Sequence, residues 1–342
     1  MSLKNLNVKI KIPKSYKIKL DNEKVKKIYQ KFEKKLNLNQ SFIVAVSGGP
    51  DSLALAFLAK VYSLKKNIRS KFYIVDHKIR IESTKEAKLV KKVLKQNLIN
   101  AEILSSKFSN KSKNIQSEAR QKRFKLLFAK CDEFNINNIL MGHHQDDLIE
   151  NFFIRMARGS GLKGLISLSE KSKFQDKNIF RPLLDHKKED LIFLSKYIFD
   201  FFVKDPSNSD EKFKRVRIRN LLNELKKNGL NNKKLLHTIE NLKHSDDVVS
   251  FYVNNNIKEN SIFSSKSQSM ILNQKFFDQS HEVIFRSLSD LIKIVGKKYY
   301  SVRGKKLDRV ISNIKNNTLF RVTLGGCLIE KVNQTTIISK EH

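Results

Sequence analysis

Six consecutive residues near the start of the chain carry groups that could bind phosphate, namely Ser47, Gly48, Gly49, Pro50, Asp51 and Ser52. They follow the apolar run Phe42 to Val46 and open a helical pattern, so the unpaired amides of a helix N-terminus would face one point. The glycines allow close backbone approach, the serine hydroxyls can donate to phosphate, and Asp51 could hold a magnesium ion. No Gly-Lys-Ser/Thr ending follows, which excludes a Walker A loop and favours ATP use with pyrophosphate release. The alternative is an ordinary strand-to-helix turn capped by a serine.

A second group of residues mixes imidazole and carboxylate side chains at a predicted strand-to-helix junction: His143, His144, Asp146, Asp147 and Glu150. Asp147 and Glu150 are three residues apart and would share a helix face. Such a group could bind a metal ion or an ammonium group. The alternative is that the acids only complement the helix N-terminus while the histidines are solvated.

Two sets of arginines could contact phosphate or RNA. Arg120 and Arg123 recur with Glu118 on a predicted helix whose other face is apolar. Further along, a denser basic run contains Arg215, Arg217 and Arg219. For both sets a plain solvated helix face remains open as the alternative.

One glycine pattern resembles a dinucleotide-binding fingerprint, the segment Gly159-Ser160-Gly161-Leu162-Lys163-Gly164. Its neighbourhood argues against that function, because the preceding stretch Leu148 to Met156 is helical in pattern and not a strand. The sequence therefore predicts a glycine-rich helix end or loop at this position, without NAD binding.

The elements that would position these residues alternate between β-branched runs and helical patterns. Strands are expected at Phe42 to Val46, Phe72 to Val75, Ala101 to Leu104 and Asn138 to Met141, and helices at Ser52 to Leu64, Ser83 to Leu98 and Asn114 to Lys130. This order predicts an α/β fold with a doubly wound parallel sheet. Ligands of such sheets bind beyond the carboxyl ends of the strands, so the chemical groups above should gather at one edge.

The rest of the chain predicts a three-part organisation. A basic N-terminal segment, 1–40, would precede a catalytic domain, 41–220, and a smaller, mostly helical C-terminal region, 221–342. That last region should end in a β-hairpin formed by Leu319 to Leu324 and Cys327 to Val332 around the turn Gly325-Gly326.

Composition sets limits on partners and location. The formal net charge is +34 with a pI near 10, which favours nucleic acid as a partner, although a drift of composition toward Lys, Asn and Ile explains the excess equally well. Only Cys131 and Cys327 are present, without zinc or iron-sulfur spacing, and this fits a reducing cytoplasm. A signal peptide is not expected, because Met1 to Leu20 alternates lysines with single apolar residues. A membrane span is not expected either, because the longest apolar region, Phe42 to Ala59, is interrupted at Gly48 to Asp51.

Four motif blocks in order resemble those of the tRNA(Ile)-lysidine synthetases, members of the PP-loop (N-type ATP pyrophosphatase) superfamily. The blocks are Ser47 to Ser52, Val75-Asp76-His77-Lys78-Ile79-Arg80, Glu118-Ala119-Arg120 with Arg123-Phe124, and His143-His144-Gln145-Asp146-Asp147. Arg158 to Leu165, Arg181-Pro182-Leu183-Leu184 and Asp205-Pro206-Ser207-Asn208 extend the resemblance to about Arg219. The resemblance implies a Rossmann-like PP-loop fold.

The resemblance also implies a reaction. ATP would adenylate the C2 oxygen of the wobble cytidine in a CAU-anticodon isoleucine tRNA, and the lysine ε-amine would displace AMP to give lysidine, AMP and pyrophosphate. ATP and Mg²⁺ would be the cofactors, and tRNA and L-lysine the partners, with the C-terminal region gripping the tRNA. The oligomeric state is left open, a homodimer included.

Site roles carried over from the resemblance are specific. The loop from Ser47 to Ser52 would bind ATP phosphates, with Asp51 assisting through a metal ion, and Asp147 with Glu150 would receive lysine. His144, Arg120 and Arg123 would orient or stabilise the adenylated intermediate, while Arg215, Arg217 and Arg219 would bind RNA. Two departures are visible, since Leu148-Ile149 and Asn151 change the neighbours of the acids and Val216 replaces a usual asparagine.

Three alternatives to this reading differ in chemistry. A tRNA thiolase would share the loop and the RNA partner but needs a reactive cysteine or a cluster. An amidating synthetase would release pyrophosphate without tRNA. A non-catalytic RNA-binding protein with a relict loop would bind tRNA but not ATP.

Overall fold

The computed structural model describes residues 12–78, 82–105, 115–174, 176–205, 210–298, 302 and 304–341. The chain divides into two compact units, the first running to Leu235 and the second beginning at Leu236. The sequence predicted a domain boundary at 220/221, which precedes this division and falls inside the helix Lys214–Lys227. Of the motif blocks, Ile79, Arg80 and residues 206–208 lie outside the described residues.

A six-stranded sheet with the order β3-β2-β1-β4-β6-β5 organises the first unit. All its strands run parallel except β5, which pairs antiparallel with β6 at one edge. The predicted α/β class with a parallel, doubly wound sheet is confirmed. Its strands are β1 (Phe42–Val46), β2 (Ser70–Asp76), β3 (Ala101–Ser105), β4 (Asn138–Leu140), β5 (Lys171–Phe174) and β6 (Lys177–Phe180).

Helices cover both faces of this sheet and include the three predicted ones, at α3, α4 and α5. The helices of the first unit are α1 (Lys14–Asp21), α2 (Glu23–Leu36), α3 (Pro50–Lys66), α4 (Ser83–Gln96), α5 (Ile115–Glu133), α6 (Gln145–Met156), α7 (Leu162–Leu165), α8 (Lys188–Phe199) and α9 (Lys214–Lys227). Every residue of α3 from Leu53 to Ala59 is buried, because β1 and α8 cover the helix from different sides. A helix enclosed in this way is apolar all round and is held rigidly.

The N-terminal segment joins the core of the first unit. In α1 and α2 the apolar side chains of Tyr16, Val25 and Phe32 are buried, while most of the lysines face outward. His186 ties α2 to the segment after β6, since its Nε2 lies 3.2 Å from the carbonyl oxygen of Ile28. The basic character seen in the sequence is therefore the outer face of an amphipathic pair of helices.

The point between β1 and β4 decides where a ligand can bind. From β1 the chain crosses to β2 on one side, and β4 pairs with β1 on the other, so the connections diverge there. Such a switch point leaves a crevice beyond the carboxyl ends of the two strands. The loops after β1 and β4 both open into it.

An antiparallel sheet with the order β7-β8-β11-β10-β9 characterises the second unit. Its elements are α10 (Asn232–Asn260), which begins just before the unit boundary, β7 (Ser261–Ser264), β8 (Ser269–Leu272), a 3₁₀ turn (Gln274–Phe277), α11 (His281–Val295), α12 (Gly304–Lys315), β9 (Arg321–Leu324), β10 (Cys327–Val332) and β11 (Thr335–Lys340). The predicted hairpin is confirmed as β9 and β10, with Gly325 and Gly326 at φ +67° and +77°. The hairpin forms part of a larger sheet that also contains β7, β8 and β11. The sequence did not predict these three strands, because they are more polar and their apolar alternation is weaker.

The core of the second unit lies between this sheet and two amphipathic helices. In α12 the residues Leu307, Val310, Ile311 and Ile314 recur at helical spacing and are all buried. Among the described residues, no helix is long and apolar enough to span a bilayer.

Candidate active site

The loop from Ser47 to Ser52, here called the phosphate loop, is fixed by one hydroxyl group. The amides of Ser47 and Gly48 each donate to Ser52 Oγ at 3.1 Å, and this hydroxyl donates to the Gly49 carbonyl at 3.0 Å. Ser52 is buried, so its hydroxyl shapes the loop from inside. The helix α3 begins within the loop, at Pro50, and Gly49 before it provides no side-chain cap. The first amides of a helix have no intrahelical acceptor and suit an anion.

The two glycines of the phosphate loop lie in different surroundings. Gly48 adopts φ +89°, and a Cβ there would lie 2.6 Å from Val90 Cγ2, so both the backbone and the packing require glycine. At Gly49 an added Cβ would meet only Ser47 Oγ, at 3.9 Å. The side of the loop at Gly49 is therefore the open one, where a ligand can approach.

The loop after β4 brings an imidazole against the phosphate loop. His144 Nε2 lies 3.6 Å from Asp51 Oδ2 and 3.5 Å from Asp147 Oδ2. The ring is held in place because His144 caps α6: its Nδ1 accepts from the amide of Asp146 at 3.2 Å, and its own amide donates to Asp147 Oδ2 at 3.0 Å. The structure thus brings Asp51, His144 and Asp147 close together, although they follow two different strands in the sequence.

A residue absent from the sequence-based site makes this approach possible. Gly142 stands between β4 and the histidines, and a Cβ there would lie 3.2 Å from the backbone of Asp51 and of Ser52. The two loops touch at this point. A glycine at the end of a strand is a known mark of close backbone approach, so the signal was available.

Two acids of the site, Asp51 and Asp147, have pKa values shifted in opposite directions. Burial raises the pKa of Asp51, against the effects of His144 and Lys188. Burial also acts upward on Asp147, but His144, His143 and Arg215 outweigh it and lower its pKa. Asp147 is therefore the more firmly ionised of the two.

A magnesium ion would fit at Asp51 when phosphate supplies further ligands. Asp51 Oδ1 is buried and has no hydrogen-bond partner among the described residues. Within the part of the chain that the structure describes, no three His, Cys, Asp or Glu side chains are grouped to hold a metal by themselves. Mg²⁺ is commonly bound by one or two carboxylates together with substrate phosphates, and this arrangement is of that kind.

Glu150 faces arginines of α9. Its buried carboxylate accepts from Arg219 Nε at 2.5 Å and from the Arg219 Nη2 at 3.3 Å, and Arg215 Nε lies 3.5 Å from Glu150 Oε2. Arg215 also reaches Asp147, with Nη2 3.6 Å from Oδ1. The i, i+4 spacing on α9 and the i, i+3 spacing on α6 place these four side chains face to face. Of the three arginines expected to bind RNA, only Arg217 points away, and it is exposed.

On α5 the two arginines differ in environment. Arg123 is half-buried, its Nε has no hydrogen-bond partner among the described residues, and burial together with Arg120 and Arg215 lowers its pKa to about 10. It stays charged at neutral pH. Arg120 is exposed, with its guanidinium 5.4 Å from the Phe124 ring centre. Burial and Arg123 lower the pKa of His77, which therefore stays neutral beside this positive charge.

The acid at the end of β2, Asp76, has a structural task. Asp76 is buried and accepts from the Lys78 amide at 2.9 Å, from Ser83 Oγ at 2.8 Å and from Thr84 Oγ1 at 2.7 Å. It links the end of β2 to the first residues of α4. The glycine-rich segment from Gly159 follows α6, as expected, and forms the loop into α7.

Comparison with known proteins agrees with this geometry. The family model of the PP-loop domain matches residues 19–225. A tRNA(Ile)-lysidine synthase of Orientia tsutsugamushi (strain Boryong) is 34% identical over 320 residues, which cover 89% of this chain and 70% of that protein. One of Rickettsia akari (strain Hartford) is 31% identical, covering 92% of this chain and 74% of that protein. A solved U34-tRNA thiolase from Methanococcus maripaludis shares the fold, with a TM-score of 0.54 and 21% identity over 65% of this chain and 79% of that one.

A parallel sheet with a Ser-Gly-Gly-x-Asp-Ser loop at its switch point defines the PP-loop class of ATP-using enzymes, and the matched family model places the first unit in it. Similarity to the curated relatives extends well beyond that domain, over about nine-tenths of the chain. The chain belongs to the tRNA(Ile)-lysidine synthase family of tRNA-modifying enzymes.

Proposed function

We propose that this protein ligates L-lysine to C2 of the wobble cytidine in a CAU-anticodon isoleucine tRNA. ATP first adenylates the C2 oxygen and releases pyrophosphate, and the lysine ε-amine then displaces AMP. The observation that supports this most is the contact between Asp51, at the phosphate loop, and His144, at the head of the acidic helix. The loop to which we assign the nucleotide and the residues to which we assign the amine therefore lie at one edge of the sheet.

Binding of ATP is assigned to the phosphate loop. Phosphate oxygens would approach from the open side at Gly49 and accept from the first amides of α3. Asp51 would hold the magnesium ion, which when bound offsets the charge of the leaving pyrophosphate. Burial raises the pKa of this carboxyl, and a bound cation would act against that rise.

The second half of the reaction is assigned to the loop after β4 and to α5. Asp147 remains ionised and can accept hydrogen bonds from an ammonium group. His144 lies between Asp51 and Asp147 and would orient the reacting groups. Arg120 and Arg123 would stabilise the negative charge of the adenylated intermediate, and the half-buried Arg123 is the better placed of the two because charge interactions are stronger away from water.

A thiolase reaction is disfavoured by both cysteines. Cys131 and Cys327 are buried, and they belong to different units. Burial raises the pKa of Cys131 to about 12 and that of Cys327 to about 11. Neither thiol can form the reactive thiolate that sulfur transfer needs at neutral pH.

Partners and location follow from the same proposal. The second unit and the exposed Arg217 would contact the tRNA outside the site. A tRNA substrate, ATP and free lysine are found together in the cytoplasm, where we place the protein. Oligomeric state does not enter the reaction as proposed.

Labelled lysine tests the proposal directly. The protein is incubated with ATP, labelled lysine and a CAU-anticodon isoleucine tRNA, and label should appear in that RNA with equimolar AMP and pyrophosphate. A tRNA with a different anticodon and a reaction without ATP are the controls. No label in any tRNA, with ATP still bound, would contradict the proposal.

Asp51→Ala tests the role of the loop in the same assay. Loss of this carboxylate should abolish ATP-dependent lysine incorporation, while Asp21→Ala, which removes an exposed acid at the end of α1, should leave it unchanged. Full incorporation by Asp51→Ala would contradict the assignment.

A further inference from the structure

The four charged groups between α6 and α9, here called the acid–arginine cluster, are Asp147, Glu150, Arg215 and Arg219. They form three ion pairs of two different kinds. Arg219 holds Glu150 with two hydrogen bonds, and the Glu150 side chain is only 4% exposed. Arg215 is 47% exposed, and its contacts to Glu150 and Asp147 are 3.5 and 3.6 Å long.

The two kinds of ion pair differ in the free energy needed to break them. Removing one partner of a buried, bidentate pair leaves an uncompensated charge away from water and is strongly unfavourable. A half-exposed guanidinium at longer distances gains little from its pair and can turn to solvent. Arg219 is therefore fixed, and Arg215 is exchangeable.

Charge balance shows which contact an incoming amine must replace. The cluster holds two carboxylates and two guanidinium groups, so a bound ammonium group makes it net positive unless one guanidinium leaves. Glu150 has both oxygens engaged by Arg219. Asp147 has its Oδ2 in the α6 cap, and its Oδ1 lies 3.6 Å from Arg215 Nη2, too far for a hydrogen bond.

We propose that Glu150 and Arg219 are a positioning pair that fixes α9 at the site, and that the lysine ε-ammonium replaces Arg215 at Asp147. This rests on the proposed function. Glu150 then acts through Arg219 and does not itself receive the substrate amine. Arg215, once displaced, is free to meet an RNA phosphate beside the positive charge of Arg123, so lysine binding and RNA binding favour each other.

Steady-state kinetics with separate titrations of lysine and tRNA distinguish the two carboxylates. Asp147→Asn should raise the KM for lysine about tenfold or more, because the acceptor loses its charge. Glu150→Gln should leave the KM for lysine within about threefold while lowering kcat and raising the KM for tRNA about tenfold, because α9 is no longer fixed. An equal rise of the lysine KM in both variants would overturn the proposal.

The two arginines give a second split. Arg215→Ala should lower the KM for lysine a few-fold, since the competing cation is gone, and raise the KM for tRNA. Arg219→Ala should mimic Glu150→Gln, with partial rescue in Arg219→Lys, which keeps the charge but only one donor group. A rise of the lysine KM in Arg215→Ala would overturn the exchange.

A readout without catalysis keeps this inference separate from the proposed function. Amide hydrogen exchange of the full chain should show loss of protection in α9 for Glu150→Gln and Arg219→Ala and none for Arg215→Ala. Intact α9 protection in the first two variants would refute the positioning pair, whatever the activity. Failure of the wild-type protein to incorporate lysine, with this exchange pattern present, would refute the proposed function and the amine exchange but retain the pair.

Discussion

The phosphate loop and the acid–arginine cluster lie at the same sheet edge but are built in different ways. The loop is made of backbone groups from six neighbouring residues, and one hydroxyl, Ser52 Oγ, holds them. The cluster is made of side chains from α6 and α9, with Glu150 and Arg219 separated by 69 positions in the chain. A site of the first kind is specified locally, whereas a site of the second kind exists only after two helices have packed.

This difference predicts how each region responds to substitution. The loop should fail abruptly when its internal hydrogen bonds are lost, because Ser52 Oγ is the acceptor for two of its amides. The cluster should fail gradually, because four charges share the task. The cluster variants described above test the gradual response, and the four substitutions below test the loop and the surroundings of both regions, from the largest expected effect to the smallest.

Ser52→Ala should reduce kcat/KM for ATP about 100-fold in a pyrophosphate-release assay, because two loop amides lose their acceptor and each orphaned group costs about 1–3 kcal/mol. Ser63→Ala is the matched control. Ser63 lies in the same helix and its hydroxyl donates to a carbonyl three residues earlier, Lys60, as Ser52 does to Gly49. A loss of less than threefold in Ser52→Ala would show that the loop keeps its shape without this hydroxyl.

Gly142→Ala should raise the KM for ATP about tenfold, because the new Cβ pushes the loop after β4 away from the backbone of Asp51, an overpacking of about 1–3 kcal/mol. This would show that the loop is not wholly local. Gly161→Ala is the control, since a Cβ there meets no atom within 4 Å. An unchanged KM for ATP would leave the loop independent of its neighbour.

Arg217→Ala should weaken tRNA binding about threefold and lower the salt dependence of log K by about one, as loss of one phosphate contact does. Lysine KM should not change, because Arg217 points away from the cluster. Filter binding at several salt concentrations measures this. Arg217→Lys should keep the slope, and an unchanged slope in Arg217→Ala would remove Arg217 from the RNA surface.

His186→Gln should have the smallest effect of the four, a change in how the free energy of unfolding depends on pH. His186 Nε2 faces the Ile28 carbonyl and so carries the proton in the neutral ring, and burial lowers its pKa. Neutral His186 therefore stabilises the first unit above the unfolded value of about 6.5, and this contribution is lost as the pH falls below it.

Urea unfolding at pH 7.5 and 5.5, followed through amide exchange in α2, measures this effect. The difference in unfolding free energy between wild type and His186→Gln should be smaller at pH 5.5. A difference that stays constant would mean that the imidazole does not titrate in this range. The carbonyl of His186 also accepts a hydrogen bond from the Gln145 amide at the start of α6. Because α6 carries Asp147 and Glu150, we expect destabilisation around His186 to affect the acid–arginine cluster more than the phosphate loop.

Local patterns predicted the elements that hold the loop. The strand Phe42–Val46 was predicted to the residue, because a continuous apolar run ended by Ser-Gly-Gly is an unambiguous signal. The strands β5 and β6 were not predicted, since Lys171–Phe174 and Lys177–Phe180 are short and polar. They become strands through tertiary pairing, β6 with β4 and β5 with β6. The same holds for β7, β8 and β11 of the second unit.

The sequence by itself determined the phosphate loop, the parallel sheet and the edge at which the chemistry gathers, because each depends on residues adjacent in the chain or on the rule that parallel strands end together. Only the tertiary structure decided that Gly142 touches Asp51, that Arg215 and Arg219 turn to the acids while Arg217 does not, and that Glu150 is engaged by an arginine. Those contacts join distant segments, and their partners are chosen by packing and by the cost of leaving a buried charge alone.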